Sequence, residues 1–396
     1  PRRSQQWFVK MAPLAAPALA AVQDGTIRLL PEKWEKVYIN WLEGIRDWNI
    51  SRQLWWGHRI PVWTCGDCGH VAALREDPTA CPACASTRLE QDPDVFDTWF
   101  SSGLWPVSTL GWPDADAKDL TAFYPTDVLV TAPEILFFWV ARMIMTGYAF
   151  GGGAPFHTVY LHGTVRDMQH RKMSKSLGNG IDPLDVVQRF GADALRWTLI
   201  QGMGLGVDVM LDPNDLEKSF APGRNFATKL WNIGRFILLQ VGDAPVMPLA
   251  QVDPAALTLA DRWILGRLRA TIAECDAMLG PARPAAGQWP EAERQLGLRL
   301  DAYAEAARRF CWNELADWYV EAVKGRLAQP GADREVARAV LVHVVDHGLR
   351  LLHPIMPFVT ESLWQRLPGS LPGRFLATAS WPTATDAPLG EAFEVC

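Results

Sequence analysis

The chain has 396 residues and a formal net charge of −6, and 49% of its residues are hydrophobic against 21% that are charged. This length exceeds one average domain, and the composition is that of a globular protein able to bury apolar cores. The negative charge argues against a basic clamp over the whole surface, although a local basic face can still contact RNA phosphates. No apolar run reaches 18 residues, so we expect no membrane span.

The first segment, PRRSQQWFVKM, begins without Met and has no continuous apolar run behind its two arginines. It does not resemble a secretory signal, and we expect the sequence to be a piece of a longer chain or a processed product. Seven cysteines, an odd number, favour a reducing compartment over a disulfide framework. We therefore expect a cytoplasmic protein.

The first 63 residues mix short apolar runs with polar stretches. They predict a strand over 6–11, an amphipathic helix over 34–45 and a strand over 56–63. Residues 64–92 then form a small insertion that carries four of the cysteines.

Strands and helices alternate through residues 93–217, a pattern that favours a parallel α/β sheet. VLVTA (128–132) and HTVYLHG (157–163) are predicted as neighbouring parallel strands, with an apolar helix over 134–150 between them. A binding site would lie at the carboxyl ends of these strands. Asp182 and Pro183 mark the start of a later helix, as its cap and its first residue.

Helical periodicity takes over in residues 218–367, and the Pro- and Gly-rich residues 368–396 are predicted to be an extended tail. Two buried stripes are predicted from helical spacing. They consist of Phe226, Leu230, Ile233 and Ile237, and of Cys311, Leu315, Trp318 and Ala322. The predicted fold class is therefore α/β plus all-α.

The cysteine insertion contains two C-x-x-C pairs, Cys65 with Cys68 and Cys81 with Cys84. Each pair can place two thiolates on one ion, and two pairs complete a tetrahedral Zn²⁺ shell. Four thiolates leave no open coordination position, so the predicted zinc is structural. The alternative, four unrelated buried cysteines, explains the paired spacing less well.

The string RKMSKS (171–176) places two lysines and two serines on a loop that is followed by a glycine-containing turn. A lysine is a movable point charge suited to phosphate oxygens, and serine hydroxyls add hydrogen bonds. A generic K-x-x-K is a solvated surface loop, whereas the full K-M-S-K-S after a predicted strand indicates a phosphate site.

KMSKS is similar to the second signature of the class I aminoacyl-tRNA synthetases. The strings around it narrow the resemblance to the valyl-tRNA synthetase family, and they cover most of the chain. They are WNISRQLWWGHRIPVW (48–63), DVFDTWFSSGLWP (94–106), ILFFWVARMIM (135–145) and LLHPIMPFVTESLW (351–364). Ser101-Ser102 stands where the isoleucyl and leucyl enzymes usually carry Asp-Ser, so valine is favoured over those substrates.

The resemblance implies a valine-tRNA ligase that uses ATP and Mg²⁺ to make valyl-adenylate and then acylates the tRNA for valine. Lys175, assisted by Lys172 and Ser174, would contact ATP, with His162 and Gly163 against the nucleotide. Further residues are implied for the other ligands. They are Glu134 near the ribose, Trp99 and Ile135 around valine, and Arg224, Asn225, Lys229, Asn232 and Arg235 against tRNA. For Trp99 and Ile135 a core role is an equal alternative. For the helix residues a solvated face is the commoner meaning of such a pattern, and the resemblance favours the tRNA contact.

The resemblance also implies domains. We expect a return segment from an editing insertion (1–63), a zinc knuckle (64–92), the second half of a Rossmann-type catalytic domain (93–217), a helical-bundle anticodon-binding domain (218–367) and a C-terminal extension (368–396). The family's usual Gly is replaced by Ala132 and by His170. A monomer is the family expectation.

The first class I signature, H-x-G-H, is formed by none of the eight histidines. We therefore expect these 396 residues alone to be unable to form valyl-adenylate, and we expect an exposed sheet edge to lower their solubility. Two alternatives stay open: a non-catalytic RNA-binding fragment or paralogue, and a synthetase for isoleucine or leucine. A zinc-ribbon interaction protein leaves residues 128–200 unexplained.

Overall fold

The computed structural model describes residues 5–242, 244–368 and 373–384 and divides into two compact units. Unit 1 comprises residues 1–161 and 282–295, and unit 2 comprises residues 162–281 and 296–396. The predicted domain boundaries remain predictions, and most of the predicted C-terminal extension lies outside the described residues. No helix in the described ranges is long and apolar enough to cross a membrane.

Unit 1 contains ten strands and six helices in its described part. The strands are β1 (Phe8–Val9), β2 (Arg28–Leu30), β3 (Trp48–Asn49), β4 (Ser51–Arg52), β5 (Val62–Cys65), β6 (Val71–Ala73), β7 (Leu89–Gln91), β8 (Val95–Phe96), β9 (Thr126–Thr131) and β10 (Phe156–Leu161). The helices are α1 (Ala12–Gln23), α2 (Lys33–Glu43), α3 (Thr98–Gly103), α4 (Trp105–Ser108), α5 (Lys118–Phe123) and α6 (Ala141–Phe150).

The central sheet of unit 1 is parallel, in the order β2-β10-β9. Thr158 lies opposite Val128 and Leu161 lies opposite Thr131, which confirms the two predicted neighbouring strands. Strand β10 ends at Leu161, two residues earlier than predicted, and its last four residues are all buried. The helix predicted over 134–150 begins as a 3₁₀ turn (Pro133–Ile135) and a π-helical turn (Leu136–Val140) before α6.

Unit 2 is mainly helical. Its helices are α7 (Pro183–Phe190), α8 (Ala192–Gly202), α9 (Leu216–Val241), α10 (Leu259–Leu279), α11 (Leu300–Arg309), α12 (Val320–Ala328), α13 (Ala332–Leu352) and α14 (Pro357–Trp364). Strands β11 (Val165–Arg166) and β12 (Val209–Met210) form one short parallel pair. An ion pair joins α10 to α12. Asp261 on α10 is fully buried and accepts hydrogen bonds from Arg326 on α12 and, at 2.6 Å, from the Tyr319 hydroxyl.

The two predicted apolar stripes fare differently. On α9, Phe226, Leu230 and Ile237 are buried, as predicted. In the second stripe Cys311 and Leu315 are buried, as predicted, but the prediction is wrong for Trp318, which is 70% exposed, and for Ala322, which is also exposed. Residues Phe310–Tyr319 form a π-helix, whose i→i+5 hydrogen bonds widen each turn and shift the buried positions away from a 3.6-residue period.

Candidate functional site

The predicted phosphate loop lies between β11 and α7 of unit 2. Lys172 and Lys175 are exposed, and Ser174 is half-buried. Asp182 caps α7 by accepting a hydrogen bond from the Leu184 amide at 2.8 Å, which confirms the predicted helix start. The loop therefore enters from a strand and leaves into a capped helix, with both lysines at the surface.

Two polar side chains that the sequence analysis missed hold this loop. Asp167 is 1% exposed and Asn179 is 6% exposed. The Asn179 amide donates to the Asp167 carboxylate at 2.8 Å and accepts from the Ser174 backbone N–H at 2.9 Å. The sequence signal was weak, since it consists only of an Asp and an Asn placed on either side of a basic loop.

Asp167 collects further donors from its own turn. The backbone N–H groups of Gln169 and Arg171 donate to it at 3.0 and 2.9 Å, and the Arg171 guanidinium binds it at 2.9 Å. The hydrogen bond from Asn179, followed by those from Arg171, holds the pKa of the Asp167 carboxyl well below its usual range. The carboxylate is therefore ionised at neutral pH.

Glycine and its replacements matter at three positions. A Cβ on Gly163 would lie 1.8 Å from the backbone oxygen of Val207, so only glycine fits there. His170, which stands where the family usually has Gly, has φ +62°, in the left-handed region that favours glycine. Its backbone is therefore strained. Ala132 has φ −80°, so its Cβ is accommodated without strain.

The predicted amino-acid pocket residues belong to unit 1. Trp99 on α3 stacks on Phe138 with ring centroids 5.8 Å apart, and both Trp99 and Ile135 are half-buried. Glu134 is exposed and shares the 3₁₀ turn with Ile135. The structure thus brings Glu134 and Ile135 together, while the lysines, His162 and Gly163 lie in the other unit.

An acidic residue outside the prediction organises the surroundings of Trp99. Asp97 caps α3 and accepts hydrogen bonds from the Trp48 indole at 2.9 Å and from Arg52 at 2.8 Å. Arg142 stacks over the Trp48 ring at 3.7 Å, and burial lowers the pKa of Arg142 to about 10. Arg142 therefore keeps its positive charge at neutral pH, close to the Asp97 carboxylate.

The four cysteines of the insertion come together. Their Sγ atoms all lie within 4.8 Å of one another, and Cys65–Cys84 and Cys68–Cys81 are separated by 3.6 and 3.7 Å. Sulfurs placed tetrahedrally about one Zn²⁺ at 2.3 Å would be ~3.8 Å apart. Backbone N–H groups of Cys68 and Asp67 lower the pKa of the Cys65 thiol to about 6, which favours its thiolate.

The two C-x-x-C turns are built alike. In the first, the Cys65 N–H donates to the His70 carbonyl at 2.9 Å; in the second, the Cys81 N–H donates to the Ser86 carbonyl at 2.7 Å. The residue after each second cysteine is left-handed, with φ +71° at Gly69 and φ +58° at Ala85. The second turn therefore carries a Cβ where the first has none.

The predicted RNA-contacting residues lie along α9. Asn225, Asn232 and Arg235 are exposed. Lys229 is held by Asp317 at 2.6 Å and lies 4.1 Å from the centroid of the Trp312 ring, while Arg224 is paired with Glu217 at 2.6 Å. Asn225, Lys229 and Asn232 line one open groove of about 470 Å³.

Two family models match the chain. The model for tRNA synthetases class I (I, L, M and V) matches residues 1–212, more than half of the sequence. The model for the anticodon-binding domain of tRNA ligase matches residues 296–395.

Curated relatives and solved structures agree with these matches. Valine–tRNA ligase of Petrotoga mobilis is 50% identical over 380 residues, and that of Thermotoga maritima is 49% identical over 382 residues. These alignments cover 95% and 96% of this chain but only 40% and 41% of the relatives, so the chain spans about two-fifths of their length.

The similar solved structures establish the fold alone. LeuRS of Agrobacterium radiobacter K84, in a ternary complex with tRNA and LeuAMS, has a TM-score of 0.64 at 22% identity and covers 86% of this chain and 42% of its own. Mycobacterium tuberculosis methionyl-tRNA synthetase with methionyl-adenylate has a TM-score of 0.62 at 17% identity, covering 94% of this chain and 66% of its own.

Proposed function

The chain belongs to the class I tRNA synthetases of the I, L, M and V family, and we propose that it is the part of a valine–tRNA ligase that carries the KMSKS loop and the anticodon-binding domain. The observation that carries this proposal is the anchored loop with two outward lysines, in a chain about 50% identical to valine–tRNA ligases. The complete protein activates valine with ATP and transfers it to the tRNA for valine.

Lys172 and Lys175 act on the departing pyrophosphate. Attack of the valine carboxylate on the α-phosphate of ATP breaks the bond to the β-phosphate, and negative charge builds on the leaving group. Two ammonium groups on an otherwise anchored loop stabilise that charge, while Ser174 supplies a hydrogen bond. When bound with ATP, Mg²⁺ would share this negative charge.

The other predicted residues position the reactants. Trp99 and Ile135 offer half-buried apolar surface to the valine side chain, and Glu134 offers an exposed carboxylate to a ribose hydroxyl. Gly163 has no side chain because the Val207 backbone occupies that space, and its own backbone would lie beside His162 against the nucleotide. The rate enhancement comes from orientation of the reactants and neutralisation of charge, because no covalent enzyme intermediate is needed.

The exposed face of α9 contacts the tRNA. Asn225 and Asn232 present amides that suit base edges, and Arg235 presents an exposed charge for a phosphate. Arg224 and Lys229 would first exchange their present ion pairs with Glu217 and Asp317. We therefore rank Arg235 above these two as a phosphate contact.

The four cysteines hold a structural Zn²⁺. Their sulfur separations match a tetrahedral shell, and all four positions are thiols, so no position is left for a substrate. Four reduced cysteines at one metal site also favour a cytoplasmic location.

The test is valine-dependent ATP–pyrophosphate exchange. We expect no exchange from these 396 residues alone, because they contain no H-x-G-H signature. Joined to the remaining three-fifths of the Thermotoga maritima relative, the chain should support exchange with valine above isoleucine or leucine. A matched chimera with Lys175→Ala is the control.

Each alternative function has its own outcome in this test. Preference for isoleucine or leucine would assign a different member of the family. A chimera that binds tRNA but performs no exchange with any amino acid would favour the non-catalytic alternative.

A further inference from the structure

The residue that holds the KMSKS loop in register is Asn179, four positions after Lys175. Its amide makes three hydrogen bonds that tie the loop to Asp167 and to its own backbone. It donates to Asp167 at 2.8 Å and to the Lys172 carbonyl at 3.4 Å, and it accepts from the Ser174 N–H at 2.9 Å. One buried side chain thus holds the backbone on both sides of Met173.

Met173 completes the attachment. Its backbone N–H donates to the Val165 carbonyl on β11 at 3.2 Å, and its side chain packs against the small apolar cluster of Val186, Phe190 and Phe220. The loop is therefore fixed from Lys172 through Ser174, and the first residue beyond this fixed part is Lys175. Gly178, at φ +63°, then turns the chain back so that Asn179 reaches the anchor.

Asp167 has a fixed position, and its negative charge is offset by Arg171. Its carboxylate is held by the Arg171 guanidinium and by two backbone N–H groups, so it has a fixed position against which Asn179 bonds. The pairing with Arg171 also offsets a negative charge that would otherwise lie near the lysines and attract them. Asp167 and Asn179 are both buried, so an unmade hydrogen bond between them costs more than it would at the surface.

We propose that Asn179, held by Asp167, is a positioning residue that fixes the backbone of Lys172 and Ser174 and so sets where the two lysines of the KMSKS loop meet a pyrophosphate group. This inference rests on the proposed function for its ligand. The anchor itself stands on the geometry alone.

The first measurement uses this chain by itself and concerns only the anchor. Two rates report how well the loop is held. One is the rate of amide hydrogen exchange over residues 172–179, and the other is the rate of limited tryptic cleavage after Lys175 in the folded chain. Asn179→Ala should raise both rates about tenfold, because a buried hydrogen-bond set is lost. Asn214→Ala removes an exposed amide from the same unit and should change neither rate.

Exchanging the carboxylate at 167 and the amide at 179 distinguishes loss of this specific hydrogen bond from general destabilisation of the loop. Asp167→Asn and Asn179→Asp each break the amide–carboxylate bond, so each single variant should loosen the loop. The double variant restores a donor at 167 and acceptors at 179, and it should recover most of the protection despite a weaker contact with Arg171. Equal protection in wild type and Asn179→Ala, or a double variant no better than the singles, would overturn the anchor.

The second measurement adds inorganic pyrophosphate as the probe. Wild-type chain should show pyrophosphate-dependent protection of residues 172–179, and Asn179→Ala should need about ten times more pyrophosphate for half of that protection. An unchanged requirement would overturn the positioning role. Absence of any pyrophosphate effect in wild type, with the anchor results intact, would count against the proposed function and not against the anchor.

Discussion

The cysteine knuckle (residues 65–84) and the KMSKS loop (residues 171–179) are both short, glycine-containing segments with little apolar core of their own, yet they are held in opposite ways. In the knuckle, four side chains turn inward toward one another, and their sulfurs all lie within 4.8 Å. In the loop, one buried amide holds the backbone while both lysines are exposed. The contrast shows that a segment held through its backbone can keep its charged side chains at the surface.

The largest expected effect comes from removing one knuckle sulfur. Cys68→Ser should abolish stoichiometric zinc and unfold residues 64–92, since structural zinc contributes roughly 10 kcal/mol or more to such domains. Zinc per chain, measured after denaturation with a colorimetric chelator, checks this. Cys311→Ser, which alters a buried thiol of the helical unit, should leave zinc unchanged. Zinc retained by the Cys68 variant would contradict the four-thiolate site.

In the KMSKS loop, by contrast, we expect a substitution to lower activity without lowering stability. In the exchange-competent chimera, Lys175→Ala should lower the rate by roughly a hundredfold, the scale for one lost transition-state contact. Its free energy of unfolding should change by less than about 0.5 kcal/mol, because the side chain is exposed. Lys218→Ala is the matched exposed control and should change neither quantity. A large stability loss in the Lys175 variant would show that the loop lysine is structural.

Acidification should separate the two segments. Protons compete with zinc for the four thiolates, so the knuckle should lose metal as the pH falls. The folded-state pKa of Asp167 lies below its unfolded value of about 3.9, so its stabilisation is present above that pH and is lost only as the pH falls through the folded pKa. Zinc content and hydrogen exchange of residues 172–179, followed from pH 8 to 4.5, should show metal loss first. Loop opening before zinc release would contradict this order.

The smallest effects concern Ala85 and His170, two of the three non-glycine residues with positive φ in the described part of the chain. Ala85→Gly should stabilise the zinc-loaded knuckle by about 1 kcal/mol, because alanine at φ +58° is unfavourable relative to glycine. His170→Gly, at φ +62°, should gain less, since His visits this region more readily. Chemical denaturation of each variant beside wild type gives both values. A larger stabilisation from His170→Gly than from Ala85→Gly would show that the backbone is more strained at His170 than at Ala85.

Much of the site was predictable because its signals are local. The paired C-x-x-C spacing and the K-M-S-K-S string need no tertiary information, and the Asp182-Pro183 helix start depends only on neighbouring residues. Trp318 shows the limit of such reasoning: a helical period placed it in the core, whereas the π-helix turned it out to 70% exposure. Hydrogen-bond spacing within a helix responds to the packing around it, which a periodic pattern does not encode.

The sequence by itself determined the family, the parallel strand pair, the four clustered thiols and the positions of the two lysines, because each depends on residue type and spacing. Only the tertiary structure decided which side chains hold those groups in place. Asp167 and Asn179 lie twelve positions apart and are unremarkable as letters, yet they meet at 2.8 Å in a buried position. The cost of an unsatisfied polar group depends on its burial, and burial is a property of the folded chain.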